Sequence, residues 1–373
     1  MKLLFAGGGT AGHINPALAI AGYVKKKNPD AQILFVGNRG GMEQTLVPKA
    51  GFNMQFITIS GFQRKISPEA LKQNALTVKR TFSSSREARQ IIKDFKPDIV
   101  IGTGGYVSGP VLREAAKMGI PTIIHEQNAY PGVTNKMLSR HAKKVMLAVK
   151  GAEKYLDKNC NYVVTGNPVR SEIIAAKKDE SRKALGLDER PVVLSFGGSL
   201  GAKRINEGVA GLIARSGQDG MYQHIHGYGR NGLWFPDLVK EKGTDIEKCP
   251  NLDVREYIDN MATCMAAADL VISRAGAITL SEIQALGKPA ILIPSPNVAE
   301  NHQYHNAMAL VNNKAAEIIE EKDLTEELVI EKTDFLLQNP ERLREYTENA
   351  KKMAIIDANE RIYSVIRSVL GHV

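Results

Sequence analysis

At 373 residues, with 43% apolar and 24% charged side chains, the chain is long for one core and suits two domains of ordinary globular composition. Three cysteines without metal or C-x-x-C spacing argue against a disulfide framework and for a reducing cytosol; "LLFA" before the first glycines is too short for a signal-peptide core, and no apolar run approaches a membrane span. The formal charge of +9 is uneven, with nine basic residues against three acidic ones from Arg64 to Lys96, a field that attracts nucleic acid, anionic lipid or phosphorylated substrates.

The first element is the strand "KLLFAG", followed by Gly7-Gly8-Gly9-Thr10-Ala11-Gly12 and a helical run. A G-x-G-x-x-G between strand and helix is the arrangement that seats a dinucleotide pyrophosphate on a helix N-terminus. An NAD site also needs an acid ending the second strand, to bind ribose. Here "ILFVG" runs into "NRGG" instead. Arg39 could serve a 2′-phosphate, so an NADP reading stays open behind a sugar or phosphate ligand, and a plain tight turn is the bland alternative. Between the strands "MQFITI" and "DIVIG", the region from Gly61 to Arg89 mixes Phe62, Leu71, Leu76, Val78 and Phe82 with Lys72, Lys79 and Arg80. Apolar burial plus attraction to anionic headgroups is the physics of reversible interfacial binding. The competing reading is a packed helix with a solvated basic face. No nucleic-acid motif accompanies the charge, and no nucleic-acid partner is expected.

The strands "PTIIHE", "KVMLAV" and "YVVTG" complete the first half, and Gly166 and Pro168 in "TGNPVRSEI" mark a boundary. The pattern predicts one domain over 1–165 and a second over 166–349, with a helical tail from about 350 to 373 crossing back onto the first. The second half opens on "PVVLSFGG" and repeats the strand, glycine turn and helix at Gly197-Gly198-Ser199-Leu200-Gly201-Ala202. That loop lacks the G-K-[ST] of a P-loop, so Walker-type phosphoryl transfer is disfavoured, while Ser199 offers a hydroxyl to a phosphate.

"YQHIHG" and "LDVREYI" follow; His224 and His226 alternate along the first, share a face, and read as partly buried strand histidines without a third metal ligand nearby. No D-x-D occurs anywhere, so no metal site is expected. In "DLVISRAGAITLSEIQALGKPAILIP" a helix starts near Ala277, where backbone amides can face a phosphate or sugar. Glu282 could take both hydroxyls of a ribose, or simply complement the helix dipole. "AAEIIE" is the last strand. Continuous Val/Ile/Leu runs separated by helices predict parallel sheets buried on both faces. The fold class is therefore α/β, two Rossmann-like doubly wound domains facing a central cleft, with ligand at the strand C-termini.

Seven segments sharpen this. "GGGTAGHINP", "GTGGYVSGP", "HEQNAYPG", "TGNPVR", "SFGGSLGA", "SRAGAITLSEI" and "ENHQYHNA", in that order from residue 7 to about 307, resemble the signatures of the MurG family. These are the bacterial UDP-N-acetylglucosamine:lipid I N-acetylglucosaminyltransferases of peptidoglycan synthesis. The resemblance implies a GT-B fold and an inverting transferase without metal or cofactor. Its donor would be UDP-GlcNAc and its acceptor the MurNAc 4-hydroxyl of undecaprenyl-linked lipid I, giving lipid II. It also implies a peripheral protein on the cytoplasmic face of the inner membrane, in contact with an anionic membrane surface.

Carried over by position, the resemblance places Thr10, Ala11 and Gly12 near the transferred sugar, Asn128 beside it, and Arg170 in the donor site. Ser199 falls on the donor phosphate, and the backbone of Ile258 on uracil. Ala277, Ile278, Thr279, Leu280 and Ser281 lie over sugar and phosphate, Glu282 on ribose, and Gln303 on GlcNAc hydroxyls. His302 stands where some relatives carry a second glutamine, and Ala11 where some carry glycine. Gly104, Gly105, Tyr106 and His125 would line the acceptor side. His13 is the candidate general base, a role suited to a side chain that changes charge near neutral pH. Glu126 is the rival base, and the alternative reading of His13 is a residue that only binds a substrate phosphate. Two alternatives remain: another UDP-sugar glycolipid transferase of this fold, or an NADP-binding oxidoreductase.

Overall fold

A computed structural model describes residues 1–59 and 83–371. Phe62, Leu71, Lys72, Leu76, Val78, Lys79, Arg80 and Phe82, on which the membrane expectation rests, lie outside the described residues. By its internal packing the chain divides into two units, 1–168 with 357–373, and 169–356.

The first unit is built on a parallel sheet of seven strands: β1 (Lys2–Gly7), β2 (Gln32–Asn38), β3 (Asn53–Ile57), β4 (Ile99–Gly104), β5 (Thr122–Glu126), β6 (Lys144–Leu147) and β7 (Tyr162–Val164). Their spatial order is β3-β2-β1-β4-β5-β6-β7. Successive side chains of a strand point to opposite faces, and β1 shows both faces filled. Leu3 and Phe5 join Phe35, Ile99, Ile101 and Met146 in one core cluster, while Leu4 and Ala6 join Val36, Val100, Ile124 and Val145 in the other. This double burial is why the strands read as unbroken apolar runs.

The C-terminal helix Ala358–Val369 closes the Leu3/Phe5 face. Ile362 and Ile366, one turn apart, are both buried there, each worth about 1.5–3 kcal/mol against exposure. Tyr23 donates to Glu360, which also pairs with Lys27. The return begins later than the sequence suggests: helix Pro340–Met353, with Ala350 in the core, packs entirely within the second unit.

The second unit carries β8 (Val192–Phe196), β9 (Gln223–Gly227), β10 (Leu252–Arg255), β11 (Leu270–Ser273), β12 (Ala290–Leu292) and β13 (Ala316–Ile318), in the order β10-β9-β8-β11-β12-β13. Every pairing is parallel. Val193, Ile272 and Ile291 fill one face and Val192, Leu194, Val271, Ala290 and Leu292 the other. Each expected strand run thus becomes a strand, and both sheets reverse direction of build beside their first strand, at β1/β4 and at β8/β11. Such switch points are where doubly wound sheets open a crevice at their strand C-termini.

Candidate functional site

In the first unit the switch point brings together the turn after β1 and the turn after β4. A Cβ added to Gly105 (φ +80°) would lie 2.2 Å from the Gly8 carbonyl oxygen, so only glycine lets the two turns touch. Tyr106 follows, 54% exposed, its ring edge beside Gly9. Thr10 is extended and precedes helix Ala11–Lys27, placing Ala11, Gly12 and His13 in its first turn. The Thr103 hydroxyl donates to the His13 carbonyl at 2.8 Å. The His13 ring lies against Gly104, where an added Cβ would come within 2.7 Å of Nδ1. His13 is therefore held at both backbone and ring.

The first glycine loop has one of its amides already committed to a carboxylate. Glu43, wholly buried at the start of helix Glu43–Lys49, accepts from the Gly9 amide at 3.1 Å and from the Asn38 amide at 2.9 Å. A carboxylate therefore occupies the amide that a dinucleotide phosphate would need, and its charge repels one. Arg39, the candidate for a 2′-phosphate, has its guanidinium 5.6 Å from the centre of the Phe56 ring. The G-x-G-x-x-G is a packing device. Sequence reasoning missed Glu43 by looking for an acid only at the strand end.

The end of β5 shows a second buried carboxylate. Glu126 accepts from the Asn128 amide (2.9 Å), the Asn128 side chain (3.0 Å), the Gly132 amide (3.0 Å) and the Asn135 side chain (2.8 Å). Both oxygens are spent on organising the Asn128–Gly132 loop, which sets Asn128. His125, expected to line the acceptor, is fully buried instead. Its Nε2 meets the Gly166 carbonyl at 3.0 Å and its Nδ1 the Gln127 side chain at 3.1 Å. Burial lowers its pKa. A side chain with both nitrogens engaged inside the protein cannot touch an acceptor.

In the second unit the corresponding turns follow β8 and β11. Gly197–Gly201 leads into the long helix Lys203–Asp219, with Ser199 exposed at its tip. Helix Ala277–Leu286 starts directly after the β11 turn, and its first-turn amides at Ile278 and Thr279 have no intrahelical acceptor. These are the phosphate-type donors of the unit. Leu280 corrects the expectation: its side chain is 4% exposed within the core and its amide donates to Gly276. Ser281 directs its hydroxyl to the Ala277 carbonyl at 3.0 Å.

Glu282 is buried, and Arg170 Nε donates to its Oε1 at 2.8 Å. Burial pushes the Glu282 pKa up, against the opposing pull of Arg170. One carboxylate holds more lone pairs than one arginine uses, so a ribose hydroxyl can still be accepted. Ile258 has its side chain in the core and its backbone in the irregular segment after β10. Gln303 accepts from the Ser295 amide at 2.9 Å. Just before it, Glu300 and Asn301 adopt positive φ values of 55° and 48°, a strained pair of the kind found at ligand sites. His224 and His226 are buried and both meet the Ser195 hydroxyl at 2.7 Å.

Two doubly wound units, each offering a small-residue turn and a helix N-terminus at its switch point, make up a GT-B fold. Consistent with this, the glycosyltransferase family 28 N-terminal domain matches residues 3–147 and the family 28 C-terminal domain residues 192–362. The chain is 48% identical to the UDP-N-acetylglucosamine–N-acetylmuramyl-(pentapeptide) pyrophosphoryl-undecaprenol N-acetylglucosamine transferase of Acetivibrio thermocellus, covering 99% of this chain and 98% of that one. The like-named Bacillus cytotoxicus protein is 42% identical, over 99% and 100% of the two chains. The crystal structure of Acinetobacter baumannii MurG superposes with a TM-score of 0.77 at 29% identity, covering 98% of this chain and 99% of that one. The chain belongs to the MurG family.

Proposed function

We propose that the protein transfers N-acetylglucosamine from UDP-GlcNAc to the MurNAc 4-hydroxyl of lipid I, with inversion at the anomeric carbon. The observation that carries this reading is the contrast between the two glycine loops. Glu43 takes the Gly9 amide of the first and sets a carboxylate beside it, whereas the second, with Ser199 and the start of helix Ala277–Leu286, presents donors suited to a nucleoside diphosphate. That contrast also weighs against the NADP alternative.

The second unit holds the donor: Glu282 on ribose, the Ile258 backbone on uracil, Ser199 and the Ala277–Thr279 turn on the diphosphate, Gln303 on the sugar hydroxyls. In the first unit Thr10–Gly12 and Asn128 approach the sugar, and Gly104–Tyr106 the acceptor. His13 takes the proton of the 4-hydroxyl as its oxygen attacks the anomeric carbon. The bond to UDP breaks with its electron pair on the diphosphate, where helix N-termini, Ser199 and Arg170 offset the developing charge. Glu126 shapes the Asn128 loop and does not act as base, because its lone pairs are already engaged.

Lipid I is membrane-anchored, so the enzyme works at the cytoplasmic membrane surface, with the segment around Lys72, Lys79 and Arg80 as the binding patch. No described helix is long and apolar enough to cross a membrane. Transfer of radiolabelled GlcNAc to a lipid I analogue, with and without chelator, tests the activity. In a thermal-shift series UDP and UDP-GlcNAc should raise the melting temperature and NADPH should not; the reverse result would reject the reading. Charge reversal at Lys72, Lys79 and Arg80 should weaken sedimentation with anionic vesicles.

A further inference from the structure

Two side chains behind His13, Gln127 and His125, form a connected line anchored on backbone carbonyls. His125 Nε2 lies 3.0 Å from the Gly166 carbonyl oxygen, which can only accept, so that nitrogen carries the proton. His125 Nδ1 is then a bare lone pair. The Gln127 amide nitrogen lies 3.1 Å from this lone pair and 2.8 Å from the His125 carbonyl oxygen. Both of its hydrogens are committed, and a flipped amide would set oxygen against oxygen. The Gln127 oxygen therefore points the other way, 3.3 Å from His13 Nδ1. An amide oxygen accepts only, so the proton of a neutral His13 belongs on Nδ1. His125 and Gln127 are almost wholly buried, where an unmet polar group costs about 1–3 kcal/mol, so the pattern resists rearrangement.

We propose that Gln127 and His125 are positioning residues that hold His13 in its Nδ1–H tautomer, leaving the Nε2 lone pair to receive the acceptor proton. The proposal rests on the reading of His13 as general base. When Nε2 takes the proton, Nδ1 keeps its bond to the Gln127 oxygen, whose partial negative charge stabilises the imidazolium. The logic is that of the asparagine in a Cys-His-Asn protease, with a second histidine added to orient the amide. Gly104 completes the clamp, because its missing side chain lets the ring approach.

The test has a spectroscopic and a kinetic arm, both on the full chain. Long-range proton–nitrogen correlation with labelled histidines, recorded where imidazoles are neutral, reads the tautomer directly, and His13→Ala identifies the signal. The expected result is a protonated Nδ1 and a bare Nε2. Gln127→Met, near in shape but without polar atoms, should shift the proton towards Nε2. It should lower kcat about 10- to 100-fold, a part of the about 10²- to 10⁴-fold that general-base catalysis contributes, with KM for UDP-GlcNAc changed less than about twofold. A proton on Nε2 in the parent protein overturns the proposal, and that measurement stands even if the variant folds poorly. So does a Gln127→Met protein with unchanged tautomer and kcat, or one altered only in KM. Parental turnover by His13→Ala would sink the base assignment alone and leave the tautomer result standing.

Discussion

The buried histidine pair makes the second unit acid-sensitive in a way that can be computed and then removed. Burial holds His226 down to about 3 and His224 well below the ordinary histidine value of 6.5. Their remaining ring nitrogens, His224 Nδ1 and His226 Nε2, have no hydrogen-bond partner among the described residues. A base with a depressed folded pKa is protonated first in the unfolded chain. Its stabilisation is thus full above pH 6.5 and lost as pH falls towards the folded value, at up to about 1.4 kcal/mol per pH unit for each histidine. From pH 7 to 5 the loss is about 2 kcal/mol per histidine, or about 4 kcal/mol for the pair.

Lys288, lowered to about 8 by burial, is protonated throughout that window and adds no slope. Glu282, raised by burial, acts in the opposite sense but identically in parent and variant. The reporter is built in: the only tryptophan, Trp234, lies in this unit with its ring 6.3 Å from Phe235, whose ring is 4.5 Å from His226. Urea unfolding followed by Trp234 fluorescence should become less steep with pH in His226→Asn, by up to about 1.4 kcal/mol per pH unit between about pH 6 and 5. Equal slopes in the two proteins would show that His226 does not stay neutral in the fold.

Three further substitutions probe the site. Glu282→Ala, removing the buried partner of Arg170, should raise KM for UDP-GlcNAc about tenfold or more with kcat less affected, and unchanged donor kinetics would take Glu282 out of the site. Glu43→Gln keeps the size but turns one acceptor into a donor facing an amide. It should cost the first unit about 2 kcal/mol, read as faster hydrogen exchange at Gly9 and Asn38; full protection there would contradict the bonds assigned to Glu43. Gly104→Ala puts a methyl 2.7 Å from His13 Nδ1 and should depress kcat while the thermal shift with UDP persists. Loss of the UDP shift instead would mean that the damage spreads beyond the first unit.

Much of the fold was legible because both sheets are parallel and covered. A strand buried on two faces is mostly apolar, and carries a polar residue only where a partner meets it, as at Glu126 or at Ser195 between His224 and His226. Its sequence is therefore close to an apolar run whatever its neighbours, and each such run found its place. The late return of the C-terminal segment was not legible. Helix Pro340–Met353 and helix Ala358–Val369 both have polar outer faces, and which sheet each covers depends on a few apolar positions. Ala350 completes the second core, whereas Ile362 and Ile366 complete the first. Helical periodicity shows that a face is buried, not what buries it.

For the site, motif membership located the loops but not the direction of each side chain. The segment "HEQN" names four adjacent residues, yet β5 alternates, sending His125 and Gln127 to one another and Glu126 to the loop that follows. That alternation was available in the sequence and would have paired His125 with Gln127 behind the base instead of setting it against the acceptor. Glu43 needed more. In a dinucleotide fold the acid closes the second strand and reaches out to ribose. Here Asn38 ends the strand, two glycines intervene, and the carboxylate reaches back to the Gly9 amide. A Cβ at Gly8, Gly37 or Gly41 would strike Glu43 within 2.6 Å, so these glycines and this acid form one packing unit. The same G-x-G-x-x-G letters therefore encode opposite electrostatics, depending on an acid displaced along the chain by a few residues.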